Sequence, residues 1–115
     1  MNVIKEYLYN NHEEFLYPID NIEDLRNKKI IIYGAGKCGK DYYRQLRLFS
    51  DIEIVAWIDK KVTEIENNYY QLSCPEKIRE IDYDRIIIGV LDKCVSAQII
   101  KDLVAMGVDR QKIVV

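Results

Sequence analysis

Lys29-Ile30-Ile31-Ile32-Tyr33-Gly34-Ala35-Gly36-Lys37-Cys38-Gly39 is the stretch on which the reading of this chain turns. An apolar run long enough for one buried strand stops at G-x-G-x-x-G. Beyond it Cys38, Tyr42, Leu46 and Phe49 recur at three- to four-residue spacing, with Lys40, Arg44 and Arg47 on the opposite side. Strand, glycine turn and amphipathic helix open a βαβ unit. Each glycine has a mechanical task in such a turn. Gly34 permits the tight bend, Gly36 lets a pyrophosphate approach the backbone, and Gly39 lets the helix pack closely on the strand. The helix N-terminus then offers N–H groups and partial positive charge to phosphate. Lys37 stands beside it as an additional partner, and Cys38 is the next residue of the turn.

Working outward, the next apolar run ends Ala56-Trp57-Ile58-Asp59, and Asp59 lies 20 residues beyond Gly39. A carboxylate at that strand end is placed to bond the ribose hydroxyls of a dinucleotide. It favours NAD over NADP, although Lys60 and Lys61 offset its repulsion of a 2′-phosphate. A capped strand end in solvent is the plainer alternative for Asp59. Further apolar runs predict five strands, at 29–33, 52–58, 70–72, 85–90 and 112–115, continuous rather than alternating and so buried on both faces. Pro75 opens a short helix, and another is expected over 96–106 with Gly107 as its left-handed cap and Val108 as the hydrophobic contact. Asp20-Asn21-Ile22-Glu23 has capping-box spacing, and residues 2–15 also look helical. The expectation is an α/β, Rossmann-like three-layer fold with a parallel five-stranded sheet in the order 3-2-1-4-5. Residues 1–28 form a helical lead-in or linker and 29–115 the domain.

The 115 residues suit one domain, and 49% hydrophobic with 31% charged excludes disorder. A formal net charge of -2 gives no footprint for nucleic acid, and the longest apolar runs are strand-sized, so neither nucleic-acid binding nor membrane insertion is expected. Met1-Asn2-Val3-Ile4-Lys5-Glu6 lacks the basic start and apolar centre of a secretory leader, which predicts a cytoplasmic protein. Cys38, Cys74 and Cys94 form no C-x-x-C pair, and His12 is the sole histidine. Reduced, mostly buried thiols and no metal site are expected.

Two look-alikes need weighing. Gly34 to Lys40 also satisfies G-x-x-x-x-G-K, but Asp41 follows where a P-loop needs Ser or Thr for Mg²⁺, and Asp92 would have to supply the second acid. Tyr33-x-x-x-Lys37 has the spacing of a dehydrogenase pair yet straddles the turn instead of sharing a helix face. Farther on, Gly89 would admit a ribose at the fourth strand's end. Lys93, Cys94 and Ser96 crown the next helix, either as an activated thiol or as a buried Cys94 with Ser96 capping. Tyr69-Tyr70 either stacks on a ligand or packs.

I-I-I-Y-G-A-G-K-C-G-K-D-Y-Y, then I-V-A-W-I-D-K-K, C-P-E-K-I and D-Y-D-R-I-I-I-G-V resemble the small Rossmann-like domains of bacterial polysaccharide enzymes. Those are the N-terminal domains of the nucleotide-sugar epimerase/4,6-dehydratase family and similar modules joined to glycosyltransferases and sugar methyltransferases. The resemblance covers about residues 29–115. It implies a nucleotide or nucleotide-sugar ligand, carried onto Gly34, Gly36, Gly39 and Asp59, with catalysis in another domain in cis or in trans. The glycine motif and acidic strand end are similar also to NAD-binding domains that gate potassium transport, which implies a sensor, for which homo-oligomer formation would be expected. Gly34, Gly36, Lys37, Cys38, Gly39, Asp59, Lys60 and Gly89 are the candidate binding residues. NAD(H) is the expected ligand, with NADP or a nucleotide-sugar as alternatives, and no catalytic residue is assigned. A vestigial, ligand-free scaffold for protein interaction stays open.

Overall fold

A computed structural model of the chain describes residues 15–61 and 71–115. The helix expected from residue 2 and the Tyr69-Tyr70 pair lie outside the described residues. The deciding stretch forms β1 (Lys29–Tyr33), the glycine turn, and α1 (Lys37–Leu46). After these come β2 (Glu53–Ile58), β3 (Arg85–Ile88), α2 (Lys93–Ala105) and β4 (Ile113–Val114). The four strands are all parallel, in the order β2-β1-β3-β4. Those four stand in the order expected of them.

The fifth expected strand is a correction. Near 70–72 the described chain makes only an isolated parallel bridge, Ile58 to Ser73, so the described sheet has four strands. Gln71 sits at φ 58°, which breaks an extended run immediately before the bridge. The last strand is also shorter than 112–115. Asp109 accepts the N–H of Gln111 at 2.9 Å and turns Arg110–Lys112 into a 3₁₀ helix first.

Alternation along β1 divides the core between two faces. Ile30 and Ile32 join Leu46, Phe49 and Trp57 on the face covered by α1. Ile31 and Tyr33 join Ile99 and Leu103 on the face covered by α2, with Ile78 from the 3₁₀ helix Pro75–Glu80. Ile30, Ile31 and Ile32 have no exposed surface, which explains why the run is continuously apolar. Emptying one such position, as in Leu103→Ala, costs about 2–5 kcal/mol.

The lead-in packs on the same core, since Ile22 and Leu25 belong to the α1-side cluster. Its cap position is Asn21, one residue later than the Asp20 that the spacing predicts. Ile22–Leu25 is a single 3₁₀ turn after Asn21, with no side-chain cap bond, because the chain must enter β1 within a few residues. The C-terminus of α2 follows expectation: Gly107 has φ 101°, and the N–H groups of Gly107 and Val108 bond the carbonyls of Val104 and Leu103 at 3.0 Å. Its start differs from 96, because Asp92 accepts from Cys94 N and Val95 N at 2.9 and 3.1 Å and begins the helix at Lys93. Among the described residues no helix is long and apolar enough to cross a membrane.

Candidate functional site

Three glycines of the site exist for packing. Gly34, at φ 115°, donates its N–H to Ile58 O at 2.7 Å, and its carbonyl accepts the indole N–H of Trp57 at 2.7 Å. A Cβ on Gly34 would stand 2.8 Å from the Gly89 carbonyl oxygen. One on Gly39 would overlap the Gly34 carbonyl, and one on Gly89 would lie 2.7 Å from Gly39 Cα. Backbone therefore meets backbone where α1 begins and where β1 and β3 end. The missing side chain of Gly89 is thus accounted for by the close approach of Gly39, and Gly89 still lines the hollow beside the turn. Gly36 differs from all three: a Cβ there meets nothing within 4 Å, and its φ of -80° and ψ of -163° suit any residue.

Asp59 is placed where the spacing expects it, one residue past β2, and is half-buried. Its Oδ2 accepts the N–H of Ala35 at 2.8 Å and its Oδ1 that of Lys61 at 2.7 Å. The carboxylate thus braces the glycine turn, and with about four lone-pair sites it keeps acceptor capacity beyond these two bonds. The helical ladder of α1 starts from Lys40 N to Gly36 O at 3.0 Å. The N–H groups of Lys37, Cys38 and Gly39 precede that first bond and so have no intrahelical acceptor.

Two adjoining hollows open here. The first, ≈ 260 Å³, is lined by Gly34, Ala35, Gly36, Lys37 and Cys38 together with Asp59, Gly89, Val90, Leu91 and Tyr17. The second, ≈ 300 Å³, shares Gly34, Asp59 and Val90 and extends over Tyr33, Lys60, Lys61 and the first turns of α2. Gly34, Gly36, Lys37, Cys38, Asp59 and Gly89 are therefore brought together, Gly39 supports them from behind, and Lys60 stands in the second hollow. The Lys60 ammonium lies 3.7 Å from Asp102 Oδ2, and both side chains are well exposed, so the pair adds little stability. A larger opening of ≈ 470 Å³ along β2, from Arg47 to Gln71, includes no residue of the glycine turn.

Burial sets the protonation states around the turn. Burial pushes the Cys38 thiol up, its hydrogen bond with Tyr42 pulls in the opposite direction, and the Asp41 charge raises it again. A neutral thiol makes Cys38 a wall, not a nucleophile. Tyr33 is pushed up to about 12, by burial first and then by the charges of Asp102, Asp59 and Glu76. Only one of the three thiols is buried: Cys74 and Cys94 are exposed, against expectation. Of the two readings of the α2 start, the one with a buried Cys94 and a capping Ser96 is overturned, because Asp92 is the cap while Ser96 is buried and donates to Val90 O at 2.8 Å.

The residues a P-loop would need have other partners. Asp41 accepts the N–H groups of Leu16 and Tyr17 at 2.7 and 3.1 Å, and Asp92 caps α2. Local pattern gave no sign of Tyr17, which reaches the hollow through contacts 24 and 28 residues apart in sequence. Trp57 was legible as a strand residue but not as the indole that holds Gly34 and stacks on Tyr43, with centroids 4.6 Å apart.

No curated protein matches the chain. A family model described as C2185-like, N-terminal, matches residues 26–114, which takes in every strand, the glycine turn and Asp59. The chain belongs to the C2185-like N-terminal domain family.

Proposed function

We propose that this domain is a Rossmann-like nucleotide-binding module that holds the diphosphate of NAD(H), or of a nucleotide-sugar, on the turn at residues 34–39. Gly36 is the observation that carries the reading. Its neighbours Gly34 and Gly39 are required by packing, whereas Gly36 is exposed and unstrained, and a Cβ added to it would meet nothing within 4 Å. A glycine that the fold does not need, beside a hollow and one residue before a helix, is accounted for by a ligand that comes close to the backbone.

The mechanism is electrostatic capture without chemistry by the domain itself. The N–H groups of Lys37, Cys38 and Gly39 donate to phosphate oxygens, the partial charge of α1 adds to them, and Lys37, which lines the same hollow, brings a further positive charge. Asp59 holds the turn in shape and offers its remaining lone pairs to a ribose hydroxyl. The sequence resemblance extends this to a role beside a catalytic domain, in cis or in trans, of a polysaccharide-building enzyme. A second reading, an interaction scaffold without a ligand, is favoured by one observation: both Asp59 oxygens already bond backbone.

A thermal-shift panel separates the two. A ligand that binds only the native state adds ~2.7 kcal/mol at about 100 times its Kd. NAD, NADH, NADP, UDP-glucose and ATP with and without Mg²⁺ form the panel. Stabilisation by NAD(H) or UDP-glucose without Mg²⁺ is expected. No shift with any of them leaves the scaffold.

A further inference from the structure

Asp41 and Gln45 are an odd pair to find on the buried side of α1, at 6% and 2% exposure one turn apart. A buried carboxylate is costly unless it is bonded, so their partners reveal what the pair is for. Asp41 Oδ2 takes the N–H of Leu16 and of Tyr17, Gln45 Oε1 takes the N–H of Ile19 at 2.9 Å, and Gln45 Nε2 donates to the Tyr17 carbonyl at 2.9 Å. Both backbone polar groups of Tyr17 are thus tied to α1. Phe15 is buried on one side, with the Arg44 guanidinium 5.0 Å from its ring, and Ile19 packs against the core on the other.

Residues 15–19 are therefore a strap clipped across α1, and its central residue, Tyr17, lines the hollow with Gly36, Lys37 and Leu91. We infer that Tyr17 is a ligand-contacting residue whose ring packs on a planar ring of the nucleotide held at the glycine turn, a role that rests on the nucleotide-binding reading. The turn supplies donors for phosphate but no aromatic surface of its own. An aromatic ring fixed through its main chain supplies that surface at little entropic cost, since the backbone is already ordered before the ligand arrives.

The clip uses only main-chain atoms of Tyr17, so Tyr17→Ala leaves it in place and the variant folds. Titration calorimetry with NAD and UDP-glucose, each carrying planar rings, and with inorganic pyrophosphate, which has none, tests the role. Tyr17→Ala weakens the nucleotides about ten-fold or more, and Tyr17→Phe stays within about two-fold of wild type. Pyrophosphate binds wild type and Tyr17→Ala alike. Undiminished nucleotide binding in Tyr17→Ala overturns the inference, as does an equal loss of pyrophosphate, which would mean that Tyr17 shapes the turn. A wild-type protein that binds neither nucleotide nor pyrophosphate overturns the nucleotide reading itself, and this inference falls with it.

Discussion

Asp59 Oδ2 accepts the Ala35 N–H across 2.8 Å, joining the end of β2 to the middle of the glycine turn. The acid that sequence spacing marks as a ribose ligand is thereby also a brace. Hydrogen bonds to a charged group contribute about 1.5–3 kcal/mol each, less where the group is partly solvated. Asp59→Ala is expected to lower stability by about 1–3 kcal/mol, read as a lower urea midpoint at unchanged slope. Asp59→Asn, which keeps one carbonyl acceptor, loses less. Equal stability of all three proteins would show that the brace carries no weight.

Gly39 has no room for a side chain because the Gly34 carbonyl occupies it. Both groups are backbone, so neither can swing away. Gly39→Ala is expected to cost at least about 3 kcal/mol or to prevent folding. Gly107, which is strained at φ 101° but surrounded by open space, gives the contrast, and Gly107→Ala costs about 1–2 kcal/mol. Circular dichroism melts of the two variants rank them directly.

Removing the Asp41 carboxylate leaves the N–H groups of Leu16 and Tyr17 without their acceptor and removes the partner 3.1 Å from Arg44. Asp41→Ala should destabilise the fold by about 2–4 kcal/mol. Hydrogen exchange supplies the sharper readout. Amides of 16–19 exchange faster in the variant while those of β1 change only with global stability.

Alkaline unfolding follows from the buried phenols. Tyr33 ionises near 12 in the folded chain, against about 10 in the unfolded one. Between these values the native state holds a proton that the unfolded state has lost, so stability is full below pH about 10 and falls as pH rises towards 12. Burial raises Tyr42, Tyr83 and Cys38 in the same direction. Urea midpoints measured from pH 9 to 12 should fall, and less steeply in Tyr33→Phe.

Much of this architecture was legible because it is local. The apolar run of β1, the glycine turn, the α1 stripe and the Gly107 cap each follow from a few neighbouring residues, and the structure places them as expected. What failed depended on distant partners or on short competing turns. The strand near residue 72 shrank to one bridge behind the positive φ of Gln71, and α2 gained three residues from the Asp92 cap. The candidate site was legible as a motif and a spacing. Its strap was not, because Asp41 and Gln45 look like surface residues of α1 until their partners 25 and 26 positions upstream are seen.

Gly36 gives the most direct test of whether this turn holds a ligand. Serine is a favoured N-cap residue, and the extended backbone and open surroundings of Gly36 accept it. Gly36→Ser is therefore expected to match wild-type stability within about 1 kcal/mol. Its hydroxymethyl group fills the space that a phosphate needs, so affinity for NAD or UDP-glucose should drop about ten-fold or more. Titration calorimetry beside a urea melt reads both at once. A stable variant with weakened binding is the predicted result, and a stable variant that binds as tightly as wild type would contradict ligand capture by the turn.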